Sequence, residues 1–235
     1  MVLEDPKVNT IEGQRLEELK SFNIFGSSVE SQFDDLTSLA ALIFDVPIVA
    51  ISFIDRDRQF FKSKIGILEN ETSREKSFCK LVMESKELLV ISDVNTETAF
   101  KEMAQNIFDP QAQFYAGTPV MTKEGHILGT FFIMDKKPRQ LSLKQIGGLK
   151  MMAQLTLHLL NIRKNASSLK LKVRNVAHEV NNHAAIISGS IYSLSELTAK
   201  QEISVQPIQN GVDRIRSATQ KIVKTVKDLR AVVIS

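Results

Sequence analysis

One stretch of the sequence constrains the fold more than any other: no proline occurs between Ser142 and Leu197. Ser142 is followed three residues later by Gln145, which is the capping-box signature of a helix N-terminus. Helices in globular domains usually span about 8–20 residues. We therefore predict a long helix that begins near Ser142 and continues as a helical stalk or coiled coil.

A second helix is predicted after the polar loop of residues 200–206, because Pro207 suits a first helical turn. Both helices repeat residues at the alternating 4-3 spacing of a heptad seam, and all of them are apolar except His183, Ser190 and Thr219. The first seam comprises Ile162, Ala166, Leu169, Val173, Val176, Val180, His183, Ile187, Ser190, Leu194 and Leu197; the second comprises Ile208, Val212, Ile215, Thr219, Ile222, Val226, Leu229 and Val233. Two such helices predict an αα-hairpin, and two hairpins can pair into a dimeric four-helix bundle.

The heptad register separates two histidines of the first helix. With Val173 at position a and Val176 at position d, His178 falls at position f and faces solvent, whereas His183 falls at position d and faces the seam. An exposed imidazole on a rigid helix can accept and pass on a phosphoryl group. A surface histidine of a coiled coil with no chemical role is the competing interpretation.

Upstream of the stalk, the sequence mixes helical and strand patterns. Helical periods cover residues 11–25, 31–44, 77–84 and 99–106; strand patterns cover residues 47–54, 59–65, 88–92, 113–121 and 126–134. Gly125 closes a hairpin turn between the last two strands. These elements predict an α+β domain with a largely antiparallel sheet.

Charge and composition narrow the functional classes. Residues 160–235 hold 12 basic and 5 acidic residues, whereas the remainder holds 18 basic and 22 acidic ones, so the two parts differ in surface character. The single cysteine excludes an internal disulfide and a four-thiolate metal site. With no signal-peptide pattern and no apolar run of the ~18 residues that cross a bilayer, we expect a cytoplasmic protein without a membrane anchor.

The segment Val176–Gly189 resembles the H-box of bacterial sensor histidine kinases, and Gly211–Arg216 resembles the second helix of the same dimerisation and phosphotransfer hairpin. The resemblance implies that His178 is the phosphoacceptor and that Glu179 is its acid/base partner. Asn182 would support dephosphorylation of a response regulator. His183 stands where the family usually has proline, so the bend that proline produces is not expected.

The kinase family uses ATP through a separate domain that this sequence does not show. No GxxxxGK[ST] loop occurs in the chain. We therefore expect no cofactor in this chain and no use of ATP by the chain alone. ATP would act only through a separate or missing catalytic domain, and whether the chain counts as an enzyme stays open.

The first part resembles a GAF domain. The segments that carry the resemblance are Phe33–Ala40, Val46–Asp55, Ser77–Cys79, Phe114–Val120, Gly125, Leu128–Thr130 and Asp135. The resemblance implies an antiparallel sheet with helices on one side and terminal helices that continue into an output module. Glu97–Phe100 replaces the family's usual Asp-x-Arg-Phe.

Candidates for lining a ligand pocket in this domain are Phe53, Phe78, Cys79, Phe114 and Tyr115, although aromatic residues of this kind usually pack a sheet core. Cys79 is the only possible thioether site for a bilin; as a buried small hydrophobe it needs no ligand. A methionine sulfoxide reductase would need a resolving cysteine. The ligand stays open, and no metal site is expected.

The sequence therefore predicts four regions: an N-terminal helical segment (1–27), a GAF-like sensor domain (28–141), a connecting signalling helix (142–165) and a phosphoacceptor hairpin (166–235). The predicted function is two-component signalling, with a homodimer that passes a phosphoryl group to a response regulator receiver domain. The alternative is a dimeric scaffold that binds a kinase or regulator without being phosphorylated. Nucleic-acid binding ranks last, because no base-stacking aromatics accompany the basic residues.

Overall fold

The computed structural model of the protein describes residues 11–96, 101, 111–199 and 205–234. The chain divides into two compact units, residues 1–164 and residues 165–235. Two sequence features fall outside the described residues: Glu97–Phe100 and, apart from Lys101, the short helix predicted over residues 99–106. Residues 200–204 of the predicted loop also lie outside them.

The first unit is built on one antiparallel sheet of six strands. They are β1 (Ile48–Ile54), β2 (Arg58–Ile65), β3 (Glu71–Ser73), β4 (Leu89–Ile91), β5 (Phe114–Met121) and β6 (Ile127–Asp135). The order across the sheet is β3-β2-β1-β6-β5-β4. The α+β prediction is confirmed, and β3 is a short edge strand that the sequence pattern did not predict.

The described residues also form five α-helices. They are α1 (Ile11–Ser21), α2 (Ser31–Phe44), α3 (Cys79–Ser85), α4 (Leu143–Ala199) and α5 (Val205–Ile234). Two short 3-10 turns occur at Arg74–Lys76 and Val94–Thr96. Helix α4 has 57 residues, which confirms the long helix, and its residues 143–164 belong to the first unit.

The sheet is buried on both faces, so the expectation of helices on one side only is wrong. Every residue of β1 and β6 is buried. One face packs against α1, α2 and the first part of α4; the other packs against α3 through Phe78, Cys79 and Val82. The central strands are apolar on both faces, and burial of both sets of side chains requires a layer on each side.

The start of α4 shows the predicted capping box. Ser142 N donates a hydrogen bond to Gln145 Oε1 at 3.0 Å, and Gln145 N donates to Ser142 Oγ at 3.3 Å. The two side chains thus satisfy backbone N–H groups that the first helical turn leaves unpaired.

The second unit is a helical hairpin whose inner face on α5 differs from the predicted seam. Over residues 205–229, the half-buried or buried residues of α5 are Pro207, Ile208, Gly211, Ile215, Ala218, Ile222, Thr225 and Leu229. Val212, Thr219 and Val226, which the sequence placed in the seam, are exposed. The predicted seam and the observed inner face have Ile208, Ile215, Ile222 and Leu229 in common. Apolar periodicity alone therefore did not distinguish the two faces.

The small residues explain why α5 turns this face inward. A Cβ added at Gly211 would lie 2.7 Å from Leu194 Cδ2, so the two helices approach closely at this point. Ala218 and Thr225 repeat a small or short side chain at seven-residue intervals along the same face, and both are buried. The close approach places the Leu194 side chain against the backbone of α5 at Gly211.

Candidate functional site

His178 lies on the exposed surface of α4, as the heptad register predicts. Its neighbours along the helix, Glu179 and Asn182, are also exposed. Within the described part of the chain, no hydrogen bond or ion pair holds the His178 ring. The imidazole is therefore open to a partner from solvent on the outer face of the hairpin.

His183 has the opposite environment. Only 14% of its side chain is exposed, and its Nδ1 atom is buried without a hydrogen-bond partner among the described residues. The heptad predicts this inward direction, because His183 follows Val176 and Val180 along the half-buried side of α4.

Glu179 approaches His183, one helical turn further along α4. Its Oε1 atom is 3.9 Å from His183 Nε2. Successive residues of a helix do not face each other, whereas residues four apart do. Therefore the structure does not bring Glu179 and His178 into a hydrogen bond, and the acid/base partnership implied by the kinase resemblance stays a prediction.

A groove of about 680 Å³ runs along the hairpin beside His183. It is lined by Lys172, Asn175, Val176, Glu179, His183, Lys221, Lys224, Thr225, Asp228 and Leu229. The lining includes three lysines and two carboxylates, so the groove carries a net positive charge. Such a groove attracts an acidic surface from solution.

A second candidate site is a polar cluster buried in the first unit around Cys79. Thr130 Oγ1 donates a hydrogen bond to Cys79 Sγ at 2.9 Å, and Gln59 Nε2 donates to the same sulfur at 3.2 Å. Gln59 Nε2 also lies 2.8 Å from Ser52 Oγ, which in turn is 2.9 Å from Thr130 Oγ1. These four residues are at most 1% exposed.

Aromatic rings close this cluster on one side. Tyr115 OH lies 3.5 Å from Cys79 Sγ, and the Tyr115 ring packs against Phe78 and Phe132 at centroid distances of 5.1 and 5.7 Å. Burial, followed by the neighbouring Cys79, raises the pKa of Tyr115 well above its ordinary value. The Tyr115 hydroxyl is therefore neutral and can donate a hydrogen bond within the cluster.

The cluster leaves one polar atom without a partner. Gln59 Oε1 is buried and accepts no hydrogen bond in the part of the chain that the structure describes. An unsatisfied buried acceptor costs about 1–3 kcal/mol. A small polar ligand that donates a hydrogen bond would remove this cost.

The structure splits the five predicted pocket residues between two cores. Phe78, Cys79 and Tyr115 belong to the core under α3. Phe53 and Phe114 belong to the core under α1, α2 and α4, on the opposite face of the sheet. They cannot line the same pocket, because neighbouring residues of a strand point to opposite faces.

Sequence reasoning missed Ser52, Gln59 and Thr130. Ser52 and Thr130 are polar residues inside strands that are otherwise apolar, so a signal was present in the sequence. Their juxtaposition follows from the register, which pairs Ser52 of β1 with Thr130 of β6. That register cannot be derived from the strand patterns alone.

Two negative observations apply to the described residues only. Among them, no group of three or more histidine, cysteine or acidic side chains is placed to hold a metal ion. No helix in the described ranges combines the length and apolarity needed to cross a membrane.

Comparisons with known proteins give one curated relative and several structural likenesses. No protein-family model matches the chain. A cyclic di-GMP phosphodiesterase from Pseudomonas aeruginosa is 33% identical over 107 residues, which is 46% of this chain. The match spans only 18% of that protein's length.

Several solved structures resemble part of the chain. The GAF domain of an Acinetobacter phosphoenolpyruvate-protein phosphotransferase is 13% identical and aligns over 68% of this chain and 99% of its own, with a TM-score of 0.49. A type II free methionine-R-sulfoxide reductase from Thermoplasma acidophilum is 17% identical over 60% of this chain and 94% of its own, with a TM-score of 0.47. Both TM-scores are below 0.5, so the fold of this chain rests on its own strand order.

Proposed function

We propose that this chain is the sensory and phosphoacceptor part of a cytoplasmic two-component signalling protein. A GAF-type sensor unit precedes a helical hairpin, and His178 receives a phosphoryl group and passes it to an aspartate of a response regulator. One observation carries the proposal: His178 is exposed on α4, while His183, five residues later, is turned into the hairpin. Only an exposed imidazole can meet two successive protein partners.

The chemistry proposed for His178 is nucleophilic. An imidazole nitrogen attacks the γ-phosphorus of ATP held by the kinase domain, and ADP leaves as the bond between the β- and γ-phosphates breaks. An aspartate carboxylate of the regulator then attacks the phosphohistidine, and the imidazole is the leaving group. Glu179 is proposed to hold the ring proton once a partner reorients it, because its carboxylate is more than half exposed and free to move. Asn182, one turn beyond His178, is proposed to orient the water that hydrolyses the regulator's phosphate.

The outer face of α5 supports a homodimer. Val212, Val223 and Val226 are 38%, 48% and 50% exposed in the single hairpin. A second hairpin would cover these valines and complete a four-helix bundle, because each helix of such a bundle buries more than one heptad position. The predicted seam through Val212 and Val226 then becomes the face between copies rather than the face within one hairpin.

The basic rim of the hairpin groove supports the identity of the second partner. Receiver domains phosphorylated on aspartate offer an acidic pocket, and Lys172, Lys221 and Lys224 offer the opposite charge. Unlike charges speed the encounter of two proteins. The phosphoryl donor is proposed to be a kinase catalytic domain that binds ATP, either on a separate protein or elsewhere in the native polypeptide.

A dimeric scaffold is the second candidate function, and one contact favours it. Glu179 approaches His183, and no hydrogen bond joins it to His178 among the described residues. A scaffold would bind the kinase or the regulator through the same groove without carrying phosphate. The sensor ligand is left open in both proposals.

The phosphoacceptor is tested by radiolabelling. The full chain is incubated with labelled ATP and a histidine kinase catalytic domain, and acid-labile phosphate is measured. His178→Gln should abolish the label, whereas His158→Gln should retain it, because His158 is exposed on the same helix but belongs to the first unit. Label that survives in His178→Gln would overturn the site; no label from any donor, including a phosphorylated regulator, would favour the scaffold.

A further inference from the structure

A cleft of about 770 Å³ opens in the first unit between helix α4 and the end of strand β5. Its walls come from three separate parts of the chain, within residues 86–88 after α3, residues 118–123 of β5 and its turn, and residues 146–158 of α4. We name it the α4–β5 cleft. Its volume lies in the range of about 300–1,000 Å³ that is usual for small-molecule sites.

The cleft and the polar cluster around Cys79 lie on opposite faces of the sheet. Phe114, Ala116 and Val120 of β5 pack in the core under α1, α2 and α4. Thr118 continues the same alternation, so its side chain lies on this face. Cys79 belongs to the core on the other face. The α4–β5 cleft is therefore a separate site.

Three lysines line the cleft, one from each wall: Lys86, Lys123 and Lys150. Among the described residues, none of their ammonium groups forms an ion pair or a hydrogen bond. Glu87 is the one carboxylate among the described residues of the lining, so the cleft has a net charge of at least +2. His158 adds an exposed imidazole to the wall formed by α4. A concave surface of this charge attracts an anion.

A further carboxylate, that of Glu18, approaches the cleft at Thr122 but already has partners. Its Oε2 atom accepts a hydrogen bond from Thr122 Oγ1 at 3.2 Å and lies 2.5 Å from His126 Nδ1. No lysine of the cleft is paired with it among the described residues. The three ammonium groups therefore stay available to a ligand.

Thr118 supplies a hydroxyl group on the buried side of the cleft. The residue is only 4% exposed, and its hydroxyl has no hydrogen-bond partner within the part of the chain that the structure describes. Buried polar side chains are normally hydrogen-bonded. A ligand in the cleft can supply the missing partner, because a hydroxyl both donates and accepts.

The chemistry of the lining favours a phosphate group over a carboxylate. A phosphate monoester carries about 1.5–2 negative charges at pH 7 and has three strong acceptor oxygens, whereas a carboxylate carries one charge. Three lysines and a hydroxyl offer the larger number of donors. Leu88, Met121 and Leu157 add apolar surface to the same cleft, which suits an apolar body attached to the phosphate.

We propose that the α4–β5 cleft binds a small molecule that carries a phosphate group on an apolar body. The lysines of the three walls bind the phosphate oxygens, and Thr118 donates a hydrogen bond to the same group. The apolar side chains contact the body of the ligand. The site does not depend on the phosphoacceptor role of His178, because every residue that lines it belongs to the first unit.

Equilibrium dialysis of the full chain against three probes at one ionic strength tests the ligand class. 1-Naphthyl phosphate should bind, and 1-naphthoate, which has the same rings but a carboxylate, should bind at least about threefold more weakly. Inorganic phosphate, which lacks the apolar body, should also bind more weakly. No binding of 1-naphthyl phosphate at millimolar concentration would overturn the site. Equal Kd values for 1-naphthyl phosphate and 1-naphthoate would overturn the assignment to phosphate.

Lysine variants test the location of the site. Lys123→Met and Lys150→Met should each raise the Kd of 1-naphthyl phosphate about three- to tenfold, because each removes one charged donor. Lys144→Met is the matched control: it removes an exposed lysine of the same helix that does not line the cleft, and it should leave the Kd unchanged. Equal Kd values for Lys150→Met and Lys144→Met would overturn the proposal.

Thr118→Val tests the buried hydroxyl, because it removes the donor and nearly keeps the shape of the side chain. It should raise the Kd about three- to tenfold. Its thermal midpoint, followed by circular dichroism, shows whether the fold is kept; if it is not, the lysine variants decide. His178→Gln should bind the probe as tightly as the wild type, which separates this site from the proposed phosphoacceptor.

Discussion

Gly129 of β6 lies against the backbone of β1, where no side chain fits. A Cβ at this position would overlap the carbonyl oxygen of Ser52 and lie 2.8 Å from Phe53 Cα. Both neighbours are backbone atoms of a strand that is buried along its whole length. The glycine is needed here for close approach of two strands, not for an unusual backbone angle.

We predict that Gly129→Ala destabilises the protein by about 1–3 kcal/mol, because the added methyl group must displace a central strand. Gly147→Ala is the matched control: it lies in a helix, no atom is within 4 Å of its added Cβ, and it should stabilise by up to about 1 kcal/mol. Urea unfolding monitored by circular dichroism measures both. Equal stability of the two variants would contradict the strand contact.

The carboxylate of Glu12 accepts hydrogen bonds from two arginine side chains, Arg15 and Arg74. Burial alone would raise the pKa of its carboxyl group. Hydrogen bonds from Arg15 and Arg74, at 2.7–2.8 Å, outweigh burial and lower the pKa from 4.5 to about 2. Arg15 also donates to the carbonyl oxygen of Ile54 at 2.7 Å, so this group of charges attaches α1 to the end of β1.

A lowered pKa in the folded protein predicts a specific acid response. The stabilisation from Glu12 is fully present above its ordinary pKa of 4.5 and is lost as the pH falls toward 2. Stability of the wild type should therefore decline more steeply below pH 4.5 than that of Glu12→Gln. Glu17→Gln, an exposed carboxylate on the same helix, serves as the control. Urea midpoints across this pH range measure the difference, and parallel curves for wild type and Glu12→Gln would contradict it.

At the scale of elements, helix α5 of the hairpin has two distinct faces, one toward α4 and one toward solvent. Helix α5 turns Gly211, Ala218 and Thr225 toward α4, and it leaves Val212 and Val226 on the outside. The first set is small and permits close approach; the second set is larger and apolar. One helix therefore serves an intramolecular contact and, as proposed, a contact with a second copy.

Two aspartate variants separate these faces. Ala218→Asp should unfold the hairpin or lower its thermal midpoint sharply, because residue 218 is 3% exposed and a buried, unpaired carboxylate is costly. Ser217→Asp, at the neighbouring exposed position, should leave the midpoint nearly unchanged. The measurement is the loss of helical ellipticity on heating. A larger effect at residue 217 than at residue 218 would show that the inner face is assigned incorrectly.

At the scale of the whole molecule, the chain combines two units with different sources of stability. The first unit has two cores, one on each face of its sheet. Among the described residues of the second unit, the buried side chains are few and small: Ser190, Ala218 and Thr225. Because its internal core is small, we expect the hairpin to gain most of its stability when a second copy packs against its outer face.

We therefore predict that thermal unfolding of the hairpin depends on protein concentration. Raising the concentration about a hundredfold should add roughly 2.7 kcal/mol to the stability of a species that folds as a dimer. The hairpin contributes most of the helix, so its transition is followed by circular dichroism. Val226→Asp, which places a charge on the outer face, should lower the midpoint and reduce its concentration dependence. A midpoint that is constant across the range would contradict a dimeric hairpin.

Local sequence signals were enough to predict most of the elements and their order. Apolar periodicity and capping residues identified α2, α4 and the strands β1, β2, β5 and β6 within a residue or two, because these signals are local. The heptad likewise indicated that His178 faces outward and His183 inward, since both directions follow from helix geometry alone. The short strand β3 was missed, because three residues carry too little pattern.

Which residues contact one another depends instead on how the elements pack. The register of β1 against β6 pairs Ser52 with Thr130, next to Cys79. Because side chains alternate along a strand, Phe53 and Phe114 lie in the core on the opposite face of the sheet. Small residues, rather than the most apolar ones, fixed the inner face of α5. Each of these outcomes depends on how closely two backbones approach, and that distance is a property of the packed pair rather than of either segment.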